Sequence, residues 1–142
     1  MNGLMRSPFV VLDTNAWSRL FIARDTSDDR GHEWRSALLG KTVVIATQTR
    51  AELLSGAAVA GWDRRRLHHL RRQLAQTPTV PVLEAVTEAW VTLRTACRRH
   101  DHPLGERAQV AEAWVAATAI SIGAPLLAAD PVYELTPGLI LL

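Results

Sequence analysis

Asp13, Glu52, Glu112 and Asp130 are far apart along the chain, yet each stands where an apolar run ends or a helix begins. Brought together, four carboxylates form a pocket that only a divalent cation can neutralise, because without one some of them must take up protons. Mg²⁺ suits such a set: it takes oxygen ligands at about 2.0–2.1 Å and keeps several waters beside a few carboxylates and a substrate phosphate. The ion keeps the acids ionised and makes water a better nucleophile. Two ions roughly 3.5–4 Å apart could hold both the attacking and the leaving oxygen of a phosphodiester, and the sequence leaves one or two open.

The elements that must position these acids are legible locally. Pro8-Phe9-Val10-Val11-Leu12 is a short apolar run ending in Asp13-Thr14-Asn15, which reads as a buried strand entering a turn. Thr42-Val43-Val44-Ile45-Ala46 is a second such run. The helical stretch Thr49-Arg50-Ala51-Glu52-Leu53-Leu54 follows at once and puts Glu52 in the first turn of the helix leaving that strand. Pro125-Leu126-Leu127-Ala128-Ala129 is a third run, closed by Asp130-Pro131. Glu112 opens a helix that returns the chain to this last strand. Such a helix runs antiparallel to the strand it enters, so its N-terminus lies level with the strands' C-terminal ends. All four acids are expected on that edge, where open α/β sheets bind their ligands. The small or compact row Val115, Ala116, Ala119 and Gly123 lets the helix pack closely on the sheet and predicts a Glu112 carboxylate that faces inward.

Alternating signals along the whole chain predict an α/β fold with a mainly parallel sheet of about four to five strands. Strands are expected near 8–13, 42–46, 79–82, 125–128 and 138–141, with helices near 14–23, 29–39, 48–60, 62–76, 83–100 and 109–122. Asp28 or Asp29 can cap the second helix, and the polar run 25–29 reads as a turn more than a cation site. A length of 142 residues with 48% hydrophobic content supports one domain over 1–142 with a real core. The run after Arg6 stops at Asp13, which marks a strand and not a signal peptide. The stretch from Val115 to Ala129 is interrupted by Gly123 and Pro125 and falls short of the roughly 20 residues of a spanning helix, so no membrane partner is expected. A single cysteine, Cys97, permits no internal disulfide and fits a reducing cytoplasm.

Each acid has an ordinary explanation by itself. Asp130 before Pro131 is a helix N-cap. Glu52, three residues after Thr49, completes a capping box. Asp13 with Asn15 forms an Asx turn, and Glu112 complements a helix dipole. Four independent caps need not fall on one edge of one sheet, and their joint placement favours a site.

Four segments taken in order carry a family resemblance. They are Val10-Val11-Leu12-Asp13-Thr14-Asn15, Thr49-Arg50-Ala51-Glu52-Leu53-Leu54-Ser55-Gly56, Trp114-Val115-Ala116-Ala117-Thr118-Ala119 and Gly123-Ala124-Pro125-Leu126-Leu127-Ala128-Ala129-Asp130. Together they resemble PIN-domain ribonucleases, above all the VapC-type toxins of bacterial toxin–antitoxin pairs. The resemblance implies a PIN-like three-layer α/β/α fold and a Mg²⁺- or Mn²⁺-dependent endoribonuclease acting on structured RNA, often transfer or ribosomal RNA. It also implies a homodimer held inactive by a cognate antitoxin. Asp13, Glu52 and Asp130 match the family's metal-binding acids, and Asn15 matches the polar residue that supports the first. Glu112 stands where the family usually has aspartate. Ala128 replaces a common threonine or serine, and Val132 replaces a further aspartate. These departures keep a second reading open, a degenerate PIN fold that binds antitoxin or RNA without cutting it.

The basic residues comprise fifteen arginines against the single lysine Lys41. Arginine forks match phosphate and carboxylate geometry, and coding bias produces the same excess. Arg64-Arg65-Arg66-Leu67-His68-His69-Leu70-Arg71-Arg72 reads as a helix with an apolar stripe at Leu67, Leu70 and Leu74. Most of its arginines therefore face solvent, either to meet an RNA backbone or antitoxin or as a solvated face, and Arg94, Arg98 and Arg99 carry the same two readings. His100-Asp101-His102 falls in a loop. Trp34, Trp62, Trp90 and Trp114 suit core packing, and Trp17, one turn after Asp13, could line the site. No glycine-rich phosphate loop follows the first strand, which argues against nucleotide-binding folds. Lys41 precedes its strand and is misplaced for a receiver domain.

Overall fold

The computed structural model describes residues 7–23 and 29–142. Strands β1 (Phe9–Leu12), β2 (Thr42–Ala46), β3 (Thr79–Val80) and β4 (Leu126–Leu127) form a parallel sheet in the order β3-β2-β1-β4. The register pairs Val10 with Val43, Val11 with both Val44 and Leu126, and Ile45 with Thr79. Among the described residues six α-helices connect and cover it: α1 (Thr14–Phe21), α2 (Asp29–Ala37), α3 (Thr47–Val59), α4 (Arg64–Ala75), α5 (Glu84–Arg99) and α6 (Val110–Ser121). Asp29 is the first residue of α2, while Asp28 and the rest of the polar turn over 25–28 lie outside the described residues.

Alternate strand residues point to opposite faces, so the central strands feed two cores and read as unbroken apolar runs. Val11, Val44, Ala46 and Leu126 pack with Val86, Leu93, Cys97 and the small residues of α6. Val10, Leu12, Ile45 and Leu127 pack on the other side with Trp17, Leu70 and Leu74. The result is the expected three-layer α/β/α arrangement. Full burial of side chains such as Leu12 and Ile45 contributes about 2 kcal/mol each. Six residues of α6, Ala113 and Val115 to Ala119, are buried, as its all-round apolar pattern requires.

Three expectations shift. The fifth strand, near 138–141, contracts to one parallel bridge between Leu126 and Leu141, supported by Leu126 N donating to Ile140 O at 2.8 Å. Pro137 and a left-handed Gly138 (φ 78°) turn the chain just before it, so only its last residues reach the sheet. The strand near 79–82 stops at Val80 because Pro81 has no N–H to donate. Trp17 does not line the acidic edge: it has no exposed surface, and its indole N–H donates to Thr77 Oγ1 at 3.1 Å. The other tryptophans are half-buried against the cores, with Trp90 and Trp114 stacked at 4.8 Å. Cys97 is buried, and that burial raises its thiol pKa while nearby Arg94 opposes the shift. Among the described residues no helix is long and apolar enough to cross a membrane.

Candidate active site

The end of β1 delivers Asp13 to the N-cap of α1, where its carboxylate accepts the Ala16 N–H at 2.8 Å while only 5% of the residue is exposed. At the end of β4, Asp130 caps the short 3-10 turn Pro131–Tyr133 and accepts the Val132 N–H at 2.9 Å. Asp130 is the cap its local sequence implies, Asp13 is a helix N-cap in place of the Asx turn expected with Asn15, and both line the site.

Glu52 is different. Helix α3 starts directly after β2 with Ala46 as N-cap and no side-chain capping bond, so the capping box read from Thr49 does not form. Glu52 lies in the second turn instead of the first, and Thr49 is buried inside the helix with no partner for its hydroxyl. The reason is the direct β2–α3 junction, which places the helix start two residues before Thr49. The Glu52 carboxylate instead accepts the Thr14 hydroxyl at 2.6 Å, a bond between the starts of α1 and α3. Glu112 is in the first turn of α6 and faces inward, and its Oε2 is buried without a hydrogen-bond partner.

The four acids surround one cavity of about 120 Å³. Asn15 lines it beside them. So do Thr14 and Tyr133, which sequence reasoning passed over. Thr14 had a weak signal as the residue after Asp13. Tyr133 had almost none, because its approach depends on the 3-10 turn that Asp130 caps. Ala128 and Val132 are half-buried and bring no polar group to the pocket.

Burial raises the Asp13 pKa from its ordinary 3.8 to about 6, with the Ala16 hydrogen bond opposing and the negative charges of Asp130, Glu52 and Glu112 adding to the rise. Tyr133 is driven far above the ordinary phenol range, first by burial and then by the same four carboxylates, so its hydroxyl remains a donor. Among the described residues no basic side chain pairs with the acids, and no three potential ligands are gathered closely enough to make a complete metal cage. The pocket is an electronegative concavity with oxygen ligands, one buried carboxylate oxygen left unpartnered, and room for water.

The Thr14 contact carries a direct test. Thr14→Val keeps the shape and removes the donor, which leaves Glu52 unrestrained at an exposed site. The expected result is a fall of about tenfold in any metal-dependent activity, with stability changed by less than about 1 kcal/mol, measured by turnover and thermal melting of the same preparations.

Acids at the C-terminal edge of a parallel sheet, between two helical layers, define a three-layer α/β/α protein with a carboxylate site. The chain belongs to the PIN domain family, whose model matches residues 10–138. Its fold is similar to that of VapBC2 from Rickettsia felis bound to a promoter DNA fragment, with a TM-score of 0.77 at 20% identity over 94% of this chain and 97% of that one. It is also similar to DNA-bound VapBC from Salmonella typhimurium, with a TM-score of 0.76 at 18% identity over 94% and 96% of the two chains. A third similar structure is FitAcB from Neisseria gonorrhoeae, with a TM-score of 0.68 at 20% identity over 93% and 95%. Comparison with curated proteins gives no match.

Proposed function

We propose that this chain is a VapC-type toxin, a Mg²⁺- or Mn²⁺-dependent endoribonuclease of one PIN-like domain over 1–142. Its partners are a cognate antitoxin and a second copy of itself, its setting is the cytoplasm, and its substrate is structured RNA of the transfer or ribosomal kind. The observation that carries the reading is the convergence of Asp13, Glu52, Glu112 and Asp130 on one small polar cavity with a Glu112 oxygen unpartnered. Likeness of fold to toxin–antitoxin structures supports it.

The residues present fit a hard divalent cation. All the donors are oxygens, and Mg²⁺ retains several waters beside one or two carboxylates, so acids spaced around a cavity suit it better than a closed cage would. Asp13, Glu52, Glu112 and Asp130 would hold it. When bound, such an ion neutralises developing charge on the phosphate and lowers the pKa of water.

The protein's own groups do the rest. One oxygen each of Asp13 and Asp130 is pinned by a backbone N–H, which orients the carboxylate and leaves its second oxygen available. Thr14 holds Glu52 in place. Asn15 and the protonated Tyr133 supply hydrogen-bond donors at the cavity wall, suited to a phosphate oxygen or a water.

Total RNA incubated with purified protein and Mg²⁺ or Mn²⁺ should be cleaved, and an Asp13→Ala control should leave it intact. Equal cleavage by both would overturn the assignment. Absence of cleavage by either is what a binding module with a degenerate site predicts.

A further inference from the structure

A second cavity is larger than the acidic one. It measures about 610 Å³ and lies between α4 and the end of α1, where Trp62, Arg65, Arg66, His69 and Arg72 line it together with Ile22. Helix α4 carries five arginines and no acid among its twelve residues. Its apolar stripe fixes which way they face: Leu70 and Leu74 are buried and Leu67 is half-buried, so all five arginines are exposed.

Arg65, His69 and Arg72 follow the i, i+4, i+7 spacing of a single helix face. The row is about 10 Å long. Arg66 lies over the Trp62 ring at 4.1 Å, which holds that guanidinium in a fixed orientation. Among the described residues the one acid at the cavity is Asp63, already engaged as the N-cap of α4 by the Arg66 N–H at 2.9 Å. Among the described residues no carboxylate pairs with Arg65 or Arg72. A row of cations does not converge on one point, as a small anion would require. It matches a chain of anions.

Helix α1 joins this row to the acidic pocket. Asn15, in its first turn, lines the acidic cavity, and Ile22, at its C-cap, lines the basic one. The two residues are about 10 Å apart along the helix axis. The electrostatics also require such a surface, because four carboxylates repel a polyanion until a cation neutralises them. Affinity for RNA must therefore come from phosphate contacts elsewhere on the surface.

We propose that the α4–α1 cavity is an RNA-backbone subsite. It holds the strand to one side of the scissile bond while α1 spans the gap to the acids. This rests on the nuclease reading above for the identity of the polyanion.

The test is binding without cleavage. A short fluorescein-labelled oligouridylate and, separately, labelled polyglutamate are titrated in EDTA, over a range of salt, with the wild type, an Arg65→Ala/Arg72→Ala variant and an Arg30→Ala/Arg35→Ala variant. The last removes equal charge from exposed positions outside the cavity. Thermal melts verify that all three fold.

The cavity variant should bind about tenfold more weakly, and its slope of log K against log salt should be shallower by about 1.4, the value for two lost single-strand phosphate contacts. The control should keep the wild-type slope. Wild-type binding by the cavity variant, or an equal loss in the control, would overturn the subsite. So would loss of polyglutamate binding with RNA binding retained, which would assign the surface to an acidic protein segment. The two readings fail separately. Asp13-independent cleavage removes the nuclease and leaves the EDTA titration standing, whereas Asp13-dependent cleavage with unaltered RNA binding removes only the subsite.

Discussion

Asp13→Asn is expected to reduce RNA cleavage by about a hundredfold or more and, in the same protein, to raise the melting temperature at neutral pH. The two effects share one cause. A carboxyl moved from 3.8 to about 6 is, as the anion, about 3 kcal/mol less favourable in the folded state than in the unfolded chain. Its folded pKa is the higher one, so the stability is fully present below the unfolded value, is lost as pH rises through about 6, and stays lost at neutral pH. Asparagine removes the charge and remains a good N-cap, so the Ala16 N–H bond survives. Stability should rise by about 1–3 kcal/mol, a shift of several degrees in the melting temperature. Asp13→Ala loses the cap as well, at a cost of about 1 kcal/mol, and should melt below Asp13→Asn. Thermal melts of the three proteins from acid to neutral pH are the measurement. An Asp13→Asn variant that melts below the wild type at neutral pH would show that Asp13 is not a strained, site-serving carboxylate.

Divalent cation should produce the second large effect. On the proposed metal site, Mg²⁺ or Mn²⁺ at about a hundred times its dissociation constant should add about 2.7 kcal/mol to folding stability, because it would bind the assembled pocket and not the unfolded chain. The gain should vanish as pH falls through about 6, where Asp13 takes up a proton and competes with the ion. Stability without cation moves the opposite way with pH, so the two melting curves should diverge above that point. Glu112→Gln should reduce the cation shift, because the buried and unpartnered Oε2 is an oxygen that a cation would satisfy. Equal shifts in wild type and Glu112→Gln would remove Glu112 from the site. A shift unchanged across this pH window would remove Asp13. The Glu112→Gln variant also addresses what one departure from the family pattern means, since the resemblance expects the shorter aspartate at this position.

Much of this arrangement is legible in the sequence. The central strands are buried on both faces, so Val10 to Leu12, Val43 to Ala46 and Leu126 to Leu127 read as apolar runs whose C-terminal ends could be located. Asp130 announced its cap correctly, whereas Asp13, read as an Asx turn, is the N-cap of α1. Glu52 shows where local reading fails. A threonine three residues before a glutamate resembles a capping box, but the helix start is set by the strand that precedes it, and β2 passes into α3 with no intervening loop. The tail beyond Gly138 fails for a related reason. Its residues have strand character, yet the turn before them decides how many reach the sheet.

The sequence by itself determined the order of strands and helices and therefore the edge on which all four acids fall, because parallel topology ties every strand end and every returning helix start to one side. Only the tertiary structure decided that Thr14 grips Glu52, that Tyr133 walls the cavity, that a Glu112 oxygen is buried unpartnered, and that α1 links the acidic pocket to the arginines of α4. Each of these depends on how elements remote in sequence pack against one another, and side-chain spacing within one element carries no information about that.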